Sequence, residues 1–147
     1  MRRPGGGGTT SYMGSANGNA AVHERRMFRL LIVDDSNIMR RRIERSQQFD
    51  ELEVVGAASN GVEAIELFRR TDPDLVTMDL TMPQMDGIEC IEQIVRLKPS
   101  VRILVISALA DKATAVDAME KGANGFLNKP FTDRQLNEAI AELIRGV

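Results

Sequence analysis

Carboxylate side chains end two of the short apolar segments in this sequence. Asp34 and Asp35 follow the segment FRLLIV at residues 28–33, and Asp79 ends the segment DLVTMD at residues 74–79. A buried strand does not favour neighbouring negative charges at its end, because uncompensated charge beside a hydrophobic core is costly. Another group must therefore compensate for these three carboxylates.

A hydroxyl and an ammonium group follow two later apolar segments. Ser107 closes VRILVIS at residues 101–107, and Lys129 and Pro130 follow GFLN at residues 125–128. Functional groups of parallel sheets gather at the carboxyl ends of the strands. If these segments are neighbouring parallel strands, the serine and the lysine meet the three acids at one edge of the sheet.

The balance of charge at this edge predicts a metal ion. Three carboxylates cannot all stay ionised without raised pKa values or a nearby cation. Lys129 supplies one positive charge, and a divalent ion would supply two. Oxygen ligands without neighbouring His or Cys favour a hard ion such as Mg²⁺. We therefore predict a Mg²⁺-dependent phosphoryl site with a carboxylate in line with the phosphorus.

Each of these residues also has a simpler explanation. Asp35 and Ser36 are typical helix-capping residues, and a lysine beside a turn proline is usually solvated. Capping does not, however, require acids after two strands together with a lysine after another. Asp79 also comes well before Asp86, the more obvious start of the following helix. The combination of residues, not any single one, carries the prediction.

Strand and helix patterns alternate along the chain from Phe28. Strand-length apolar runs lie at residues 28–33, 53–59, 74–79, 101–107 and 125–128. Helices are predicted at residues 37–49, 60–70, 87–98, 111–121 and around the stripe Leu136, Ala139, Ile140, Leu143 and Ile144. This alternation is typical of an α/β fold in which a doubly wound, five-stranded parallel sheet carries helices on both faces.

The first 26 residues differ from the rest of the chain. They hold six of the twelve glycines and no periodic apolar pattern, so we predict a disordered tail at residues 1–26 and a folded domain at residues 27–147. The only histidine, His23, lies in this tail without acidic or thiol groups at ligand spacing, and we assign it no metal or catalytic role.

Several function classes fit the composition poorly. The 147 residues are 43% hydrophobic and 27% charged with a net charge of −2, which is ordinary for one globular domain and does not indicate nucleic-acid binding. A single cysteine, Cys90, rules out an internal disulfide and fits a reducing compartment. No apolar run approaches the ~18 residues of a membrane span. We expect a cytoplasmic protein that does not insert into membranes.

The sequence resembles the response-regulator receiver domains of two-component systems over residues 28–145. The motifs that carry the resemblance are LIVDDS, ASNGVEAIELF, PDLVTMDLTMPQMDGIECI, VRILVISA and AMEKGANGFLNKPF, in this order. It looks most similar to stand-alone, chemotaxis-type regulators. The resemblance implies a monomeric, flavodoxin-like (βα)5 receiver domain with strand order 2-1-3-4-5.

The resemblance also implies roles for the acids and for the lysine. Asp79 would accept the phosphoryl group from a kinase phosphohistidine and also contact Mg²⁺. Asp35 would bind the ion directly, and Asp34 would act mainly through a metal-bound water. The backbone carbonyl of Thr81 would complete the protein's ligands. Lys129 would pair with the phosphoryl oxygens.

The resemblance also implies residues that orient Lys129, that rearrange on phosphorylation, or that set the lifetime of the phosphoryl state. Pro130 would hold a cis peptide that orients the preceding lysine. Ser107 would move its hydroxyl onto a phosphate oxygen, and Phe126 would then turn inward, although a plain core aromatic is the competing interpretation. Thr81 and Leu109 would flank the path of the hydrolytic water, and the apolar Leu109 predicts a longer-lived phosphoryl state.

Taken together, these features predict a phosphorylation-activated switch. Its only enzymatic steps would be its own phosphorylation and dephosphorylation. The predicted partners are a histidine kinase or phosphotransfer protein and a downstream target bound by the fourth helix, fifth strand and fifth helix. The basic run MRRRIER at residues 39–45 is either a solvated face or a docking surface for an acidic kinase.

Three alternatives stay open at this stage. A flavodoxin-like binder of FMN or of another phosphate-bearing cofactor would need a Gly/Ser/Thr-rich loop after the first strand, where this chain has DDSN. A phosphorylation-independent scaffold of the same fold usually lacks one of the acids or the lysine. The chain is also compatible with a piece of a longer transcription factor, although its folded part has no DNA-binding motif.

Overall fold

The computed structural model describes residues 27–82, 84–108 and 111–146. The predicted tail at residues 1–26 and Leu109 lie outside this part of the chain. Within it, five parallel strands form one sheet in the order β2-β1-β3-β4-β5, which confirms the predicted strand order. The strands are β1 (Phe28–Val33), β2 (Leu52–Ala58), β3 (Leu75–Met78), β4 (Arg102–Ser107) and β5 (Gly125–Asn128).

Five helices connect and follow these strands. They are α1 (Asn37–Ser46), α2 (Gly61–Thr71), α3 (Gly87–Leu97), α4 (Lys112–Glu120) and α5 (Asp133–Arg145). Each begins after a polar residue whose side chain accepts a hydrogen bond from a backbone N–H of the first turn, which stabilises the helix start. These capping residues are Ser36, Asn60, Asp86, Asp111 and Thr132.

The first helix is shorter than its predicted range of 37–49. Gln47 is extended, with φ −69° and ψ 144°, and its side-chain oxygen accepts a hydrogen bond from the backbone N–H of Phe49 at 2.8 Å. The backbone N–H of Gln48 donates to the side chain of Asn137 on α5, also at 2.8 Å. These side chains replace the helical hydrogen bonds, so α1 ends at Ser46.

The alternation of side chains along the strands builds two hydrophobic layers. One layer packs the sheet against α2, α3 and α4 and includes Leu31, Val33, Val76, Met78, Ile103, Val105, Phe68, Ile91 and Ile94. The other packs it against α1 and α5 and includes Leu30, Ile32, Leu75, Leu104, Ile106, Ile43, Leu136 and Ile140. The sheet is therefore covered on both faces, as predicted.

No helix in the described ranges combines the length and the apolar character that crossing a membrane would require.

Cys90 is buried in the layer beneath α3, and burial raises the pKa of its thiol to about 12. The thiolate is therefore scarce at neutral pH, which agrees with a packing role for this side chain.

Candidate functional site

Three backbone hydrogen bonds extend the sheet by one residue at its carboxyl edge. The N–H of Asp34 donates to the carbonyl of Ala58 at 3.0 Å, and that of Asp79 donates to the carbonyl of Val33 at 2.9 Å. The N–H of Lys129 donates to the carbonyl of Ser107 at 2.9 Å. Three residues are thereby fixed at the same edge of the sheet, just past the ends of β1, β3 and β5.

The structure brings the three predicted acids together. Asp34, Asp35 and Asp79 each offer one carboxylate oxygen, and these oxygens all lie within 4.8 Å of one another. Asp34 and Asp79 are almost fully buried, with 1% and 2% of their surface exposed, whereas Asp35 is exposed. The cluster is thus buried on one side and open to solvent at Asp35.

The ammonium group of Lys129 compensates part of this charge. Its Nζ lies 2.8 Å from Oδ2 of Asp34 and 3.7 Å from Oδ2 of Asp79. The side chain is only 18% exposed, so water screens these ion pairs weakly. The peptide bond from Lys129 to Pro130 is cis.

Asp34 is the most constrained of the three acids. Its Oδ1 accepts a hydrogen bond from the backbone N–H of Ser36 at 2.8 Å, while Oδ2 pairs with Lys129. Its backbone carbonyl accepts a hydrogen bond of 2.6 Å from Nη1 of Arg40. Both carboxylate oxygens of Asp34 therefore have protein partners.

Asp79 is held by Thr81 and is strongly influenced by its surroundings. Its Oδ1 accepts hydrogen bonds from the backbone N–H and the Oγ1 hydroxyl of Thr81, at 3.2 and 3.3 Å. Burial raises the pKa of Asp79 above its ordinary value, and the nearby charge of Asp34 adds to the rise. The Thr81 hydrogen bond and the charge of Lys129 oppose it. The ionised form of Asp79 thus depends on the cations around it.

The donor set fits a hard divalent cation. Among the described residues, the cluster offers three carboxylates and no His or Cys, and oxygen ligands of this kind suit small, hard ions. One ammonium group against three carboxylates leaves negative charge uncompensated in a half-buried site. A second cation would lower the cost of keeping all three acids ionised.

The other predicted site residues differ in their distance from this cluster. Ser107 is fully buried at the end of β4, beside Asn128 of β5. Phe126 is half-buried and packs against the hydrophobic layer on the α2–α4 side. That position is compatible with both a core aromatic and a switch residue. The lifetime residue Leu109 lies outside the described ranges.

Gly87 positions the site, although the sequence suggested only that it begins a helix. Its N–H donates to the carbonyl of Leu80 at 3.1 Å, which brings the start of α3 against the backbone of the site. A Cβ at this position would overlap the carbonyl oxygen of Asp79 and lie 2.6 Å from the Cα of Leu80. The only feature of the sequence that could have indicated this close approach is that Gly87 directly follows Asp86, the residue that caps α3.

The basic run at residues 39–45 does not form one uniform surface. Arg40 donates a hydrogen bond to the backbone carbonyl of Asp34, which follows β1, and Arg42 donates one to the backbone carbonyl of Phe131, in the segment after β5. Arg41 and Arg45 are exposed to solvent. Only part of this run is therefore available to a partner.

The fold and the acidic site together define the class of protein. The family model of the response regulator receiver domain matches residues 30–141, and the chain belongs to this family. It is therefore a CheY-like receiver domain of two-component signalling, as the sequence motifs predicted.

Individual relatives support the same assignment. The chemotaxis protein CheY of Listeria monocytogenes serovar 1/2a is 42% identical over 114 residues, which cover 78% of this chain and 96% of that protein. The CheY of Bacillus subtilis is 42% identical over 112 residues, covering 76% and 93%. The crystal structure of the CheX–CheY–BeF3–Mg²⁺ complex from Borrelia burgdorferi matches with a TM-score of 0.76 and 30% identity, covering 80% of this chain and 89% of that one.

Proposed function

We propose that this receiver domain is a phosphorylation-activated switch in which Asp79 accepts the phosphoryl group. The observation that carries the proposal is the meeting of three carboxylates within 4.8 Å with an ammonium group at ion-pair distance. If Lys129 served only to neutralise a buried acid, the site would not need more carboxylates than cations. The phosphodonor is a histidine kinase or a phosphotransfer protein with a phosphorylated histidine.

The transfer forms one bond and breaks one bond. A carboxylate oxygen of Asp79 attacks the phosphorus, and the N–P bond of the donor phosphohistidine breaks, with its electron pair leaving on the imidazole. Lys129 already lies 3.7 Å from one Asp79 oxygen, so its ammonium can pair with the arriving phosphoryl oxygens. The hydroxyl of Ser107 would then contact a phosphoryl oxygen, and Phe126 would turn inward.

Mg²⁺ is the divalent cation that we propose for this site. Asp35 and Asp79 would be direct carboxylate ligands with the backbone carbonyl of Thr81. Asp34 would act through a water molecule, because both its oxygens are already bonded to protein groups. When bound, the ion would supply positive charge to neutralise the phosphoryl oxygens during transfer.

The expected output surface is formed by α4, β5 and α5. Rearrangement of Ser107 and Phe126 would alter this surface and its affinity for a target protein. In the complex from Borrelia burgdorferi, the related CheY is bound to CheX. We further propose that residues 27–147 form the receiver domain, and that the protein acts in the cytoplasm as a monomer that does not bind nucleic acid.

The lifetime of the phosphoryl state would depend on Thr81 and Leu109. Thr81 binds Asp79 through its backbone and side chain. We propose that the apolar Leu109 excludes the hydrolytic water. Leu109→Glu should therefore speed the first-order loss of phosphoryl mass, and equal or slower loss would contradict this role.

Intact-mass measurement after incubation with acetyl phosphate and Mg²⁺ tests the proposed function. The wild-type chain should gain one phosphoryl group, and EDTA or Asp79→Asn should abolish the gain. Asp86→Asn is the matched control, because it makes the same change at an acid of the same connection that caps α3 and lies outside the cluster. If Asp79→Asn is labelled as fast as wild type, the assignment of Asp79 is wrong.

A further inference from the structure

One arginine connects α1 with the segment that carries Lys129. Nη2 of Arg42 donates to the backbone carbonyl of Phe131 at 2.6 Å and lies 3.3 Å from Oδ1 of Asp133. The guanidinium carbon also lies 4.3 Å from the centre of the Phe131 ring. Arg42 thus binds the backbone and the ring of Phe131, in the segment between β5 and α5, and the carboxylate of Asp133 at the start of α5.

Phe131 gives this contact a rigid base. Only 4% of Phe131 is exposed, and its side chain belongs to the hydrophobic layer shared by α1 and α5. A charged donor to a carbonyl forms a short, strong hydrogen bond, and stacking on the ring restricts the guanidinium further. The contact therefore fixes the backbone two residues after Lys129.

The other end of the same segment is also fixed. The N–H of Lys129 bonds to the carbonyl of Ser107, and its Nζ reaches Asp34 and Asp79 at 2.8 and 3.7 Å. Lys129 thus lies between a sheet hydrogen bond on one side and the contacts of Arg42 on the other. Asp34 and Asp35 lie just before α1, and Lys129 lies two residues before Phe131. The contact between Arg42 and Phe131 therefore links the part of the chain that carries these two acids to the part that carries the lysine.

We propose that Arg42 is a positioning residue that holds the segment from Lys129 to Asp133, and thereby sets the place of the Lys129 ammonium at Asp79. This inference rests on the proposed function of Asp79 as phosphoacceptor. Arg42 acts through Lys129, because its contacts are with Phe131 and Asp133, which are not members of the carboxylate cluster. Part of the basic run on α1 thus serves the geometry of the site, not the docking of a partner.

Two simpler roles of Arg42 make different predictions. If its charge only attracts an anionic phosphodonor, the neighbouring exposed Arg41 should contribute in the same way. If it only stabilises the fold, its loss should lower the thermal midpoint without changing the rate of the folded protein. A positioning role requires a lower maximal rate in protein that is still folded.

The test compares Arg42→Met, Arg42→Lys and Arg41→Met with the wild type. Initial rates of phosphorylation are measured against acetyl phosphate concentration at fixed Mg²⁺, well below each thermal midpoint. Arg42→Met should lower the maximal rate about tenfold, because small misplacements of a catalytic group are costly. Arg42→Lys should recover part of this loss, because lysine keeps the charge but not the planar set of donors. Arg41→Met should leave the maximal rate unchanged.

A second measurement follows Lys129 without any phosphodonor. Amide hydrogen exchange of the Lys129 N–H should be faster in Arg42→Met and unchanged in Arg41→Met, while the Asp79 N–H should exchange equally in all. If wild-type protein takes up no phosphoryl group, the proposed function fails, and the exchange result still decides the role of Arg42. An unchanged maximal rate with unchanged Lys129 exchange overturns the proposal, and so does an equal loss of maximal rate in Arg41→Met and Arg42→Met. Arg42→Lys answers the same question if Arg42→Met does not fold.

Discussion

The acidic side chains at the two edges of the sheet are held in different ways. At the amino edge, the carboxylate of Asp74 accepts a hydrogen bond from the N–H of Arg29 at 3.0 Å and pairs with Lys98 Nζ at 3.6 Å. Lys98 also pairs with Asp72 at 3.2 Å and donates to the carbonyl of Pro73 at 2.9 Å. The acidic groups at this edge are matched by donors that come from the protein itself.

At the carboxyl edge, the clustered carboxylates outnumber the ammonium group that pairs with them in the described part of the chain. The ammonium group of Lys129 pairs with Asp34 and Asp79, Asp35 adds a third carboxylate to the same cluster, and burial raises the pKa of Asp79. Separate acids that each bond to protein donors stabilise the fold, whereas a cluster of buried carboxylates costs stability and is retained for another purpose. The comparison therefore separates a structural ion-pair network from a site built to receive a cation and a phosphoryl group.

The largest expected difference between the edges concerns backbone packing. Gly87→Ala should lower the free energy of unfolding by about 3 kcal/mol, because the new Cβ overlaps the backbone of Asp79 and Leu80, which cannot easily move. Gly146→Ala is the matched change near the amino edge, where the Cβ meets the end of the Arg102 side chain, which can rotate away. Urea unfolding of both variants gives the comparison, and equal losses would contradict it.

Removing one charge at each edge should have opposite effects. Asp74→Asn should lower the free energy of unfolding by about 2 kcal/mol, because it weakens the bonds to Arg29 and Lys98. Asp79→Asn should raise it by about 1 kcal/mol in metal-free buffer, because it relieves repulsion within the cluster. The measurement is urea unfolding at neutral pH with EDTA. A loss of stability in Asp79→Asn would show that the two edges are alike.

The pH dependence of the free energy of unfolding should also reveal the raised pKa of Asp79. Because the folded-state pKa of Asp79 is raised above its ordinary value of 3.8, the folded protein binds the proton more tightly than the unfolded chain. The stability that wild type gains from this proton is complete below the ordinary pKa and is lost as the pH rises through the raised pKa. The stability of wild type minus that of Asp79→Asn should therefore fall across this range in metal-free buffer. A difference that rises with pH would contradict the direction of the shift.

An effect no larger than that of Asp79→Asn is expected from a buried hydroxyl beneath the site. Oγ1 of Thr77 is buried and has no hydrogen-bond partner among the described residues, and Thr77 lies between Ile32 and Leu104 on the neighbouring strands. Thr77→Val should raise the free energy of unfolding by about 1 kcal/mol, since it removes an unsatisfied polar atom at nearly constant volume. Thr71→Val is the control, because the Thr71 hydroxyl donates to the carbonyl of Leu67 at 2.8 Å, and it should not stabilise the protein.

The order of the elements and the meeting of the acids could be predicted because both depend on local pattern. Strand ends are visible in the sequence, and parallel strands bring their ends to one edge, which is why Asp34, Asp79 and Lys129 could be grouped. The types of residue at the strand ends then indicated a Mg²⁺-dependent phosphoryl site. These inferences need no knowledge of which side chains touch.

The remaining features depend on contacts between distant parts of the chain. The basic run on α1 gave no sign that Arg42 binds a segment 89 residues further along the chain. The early end of α1 depends on Asn137 of α5, which is equally remote in sequence. The close approach of Gly87 to Asp79 was likewise hidden, because a glycine near a helix start has several possible reasons.

The most direct test of the central claim is to locate the phosphoryl group. The protein is phosphorylated with acetyl phosphate and Mg²⁺, reduced with borohydride to convert an aspartyl phosphate into homoserine, and mapped by peptide mass spectrometry. We expect homoserine at position 79 and intact aspartate at Asp34 and Asp35. Conversion at Asp34 or Asp35, with Asp79 unchanged, would contradict it.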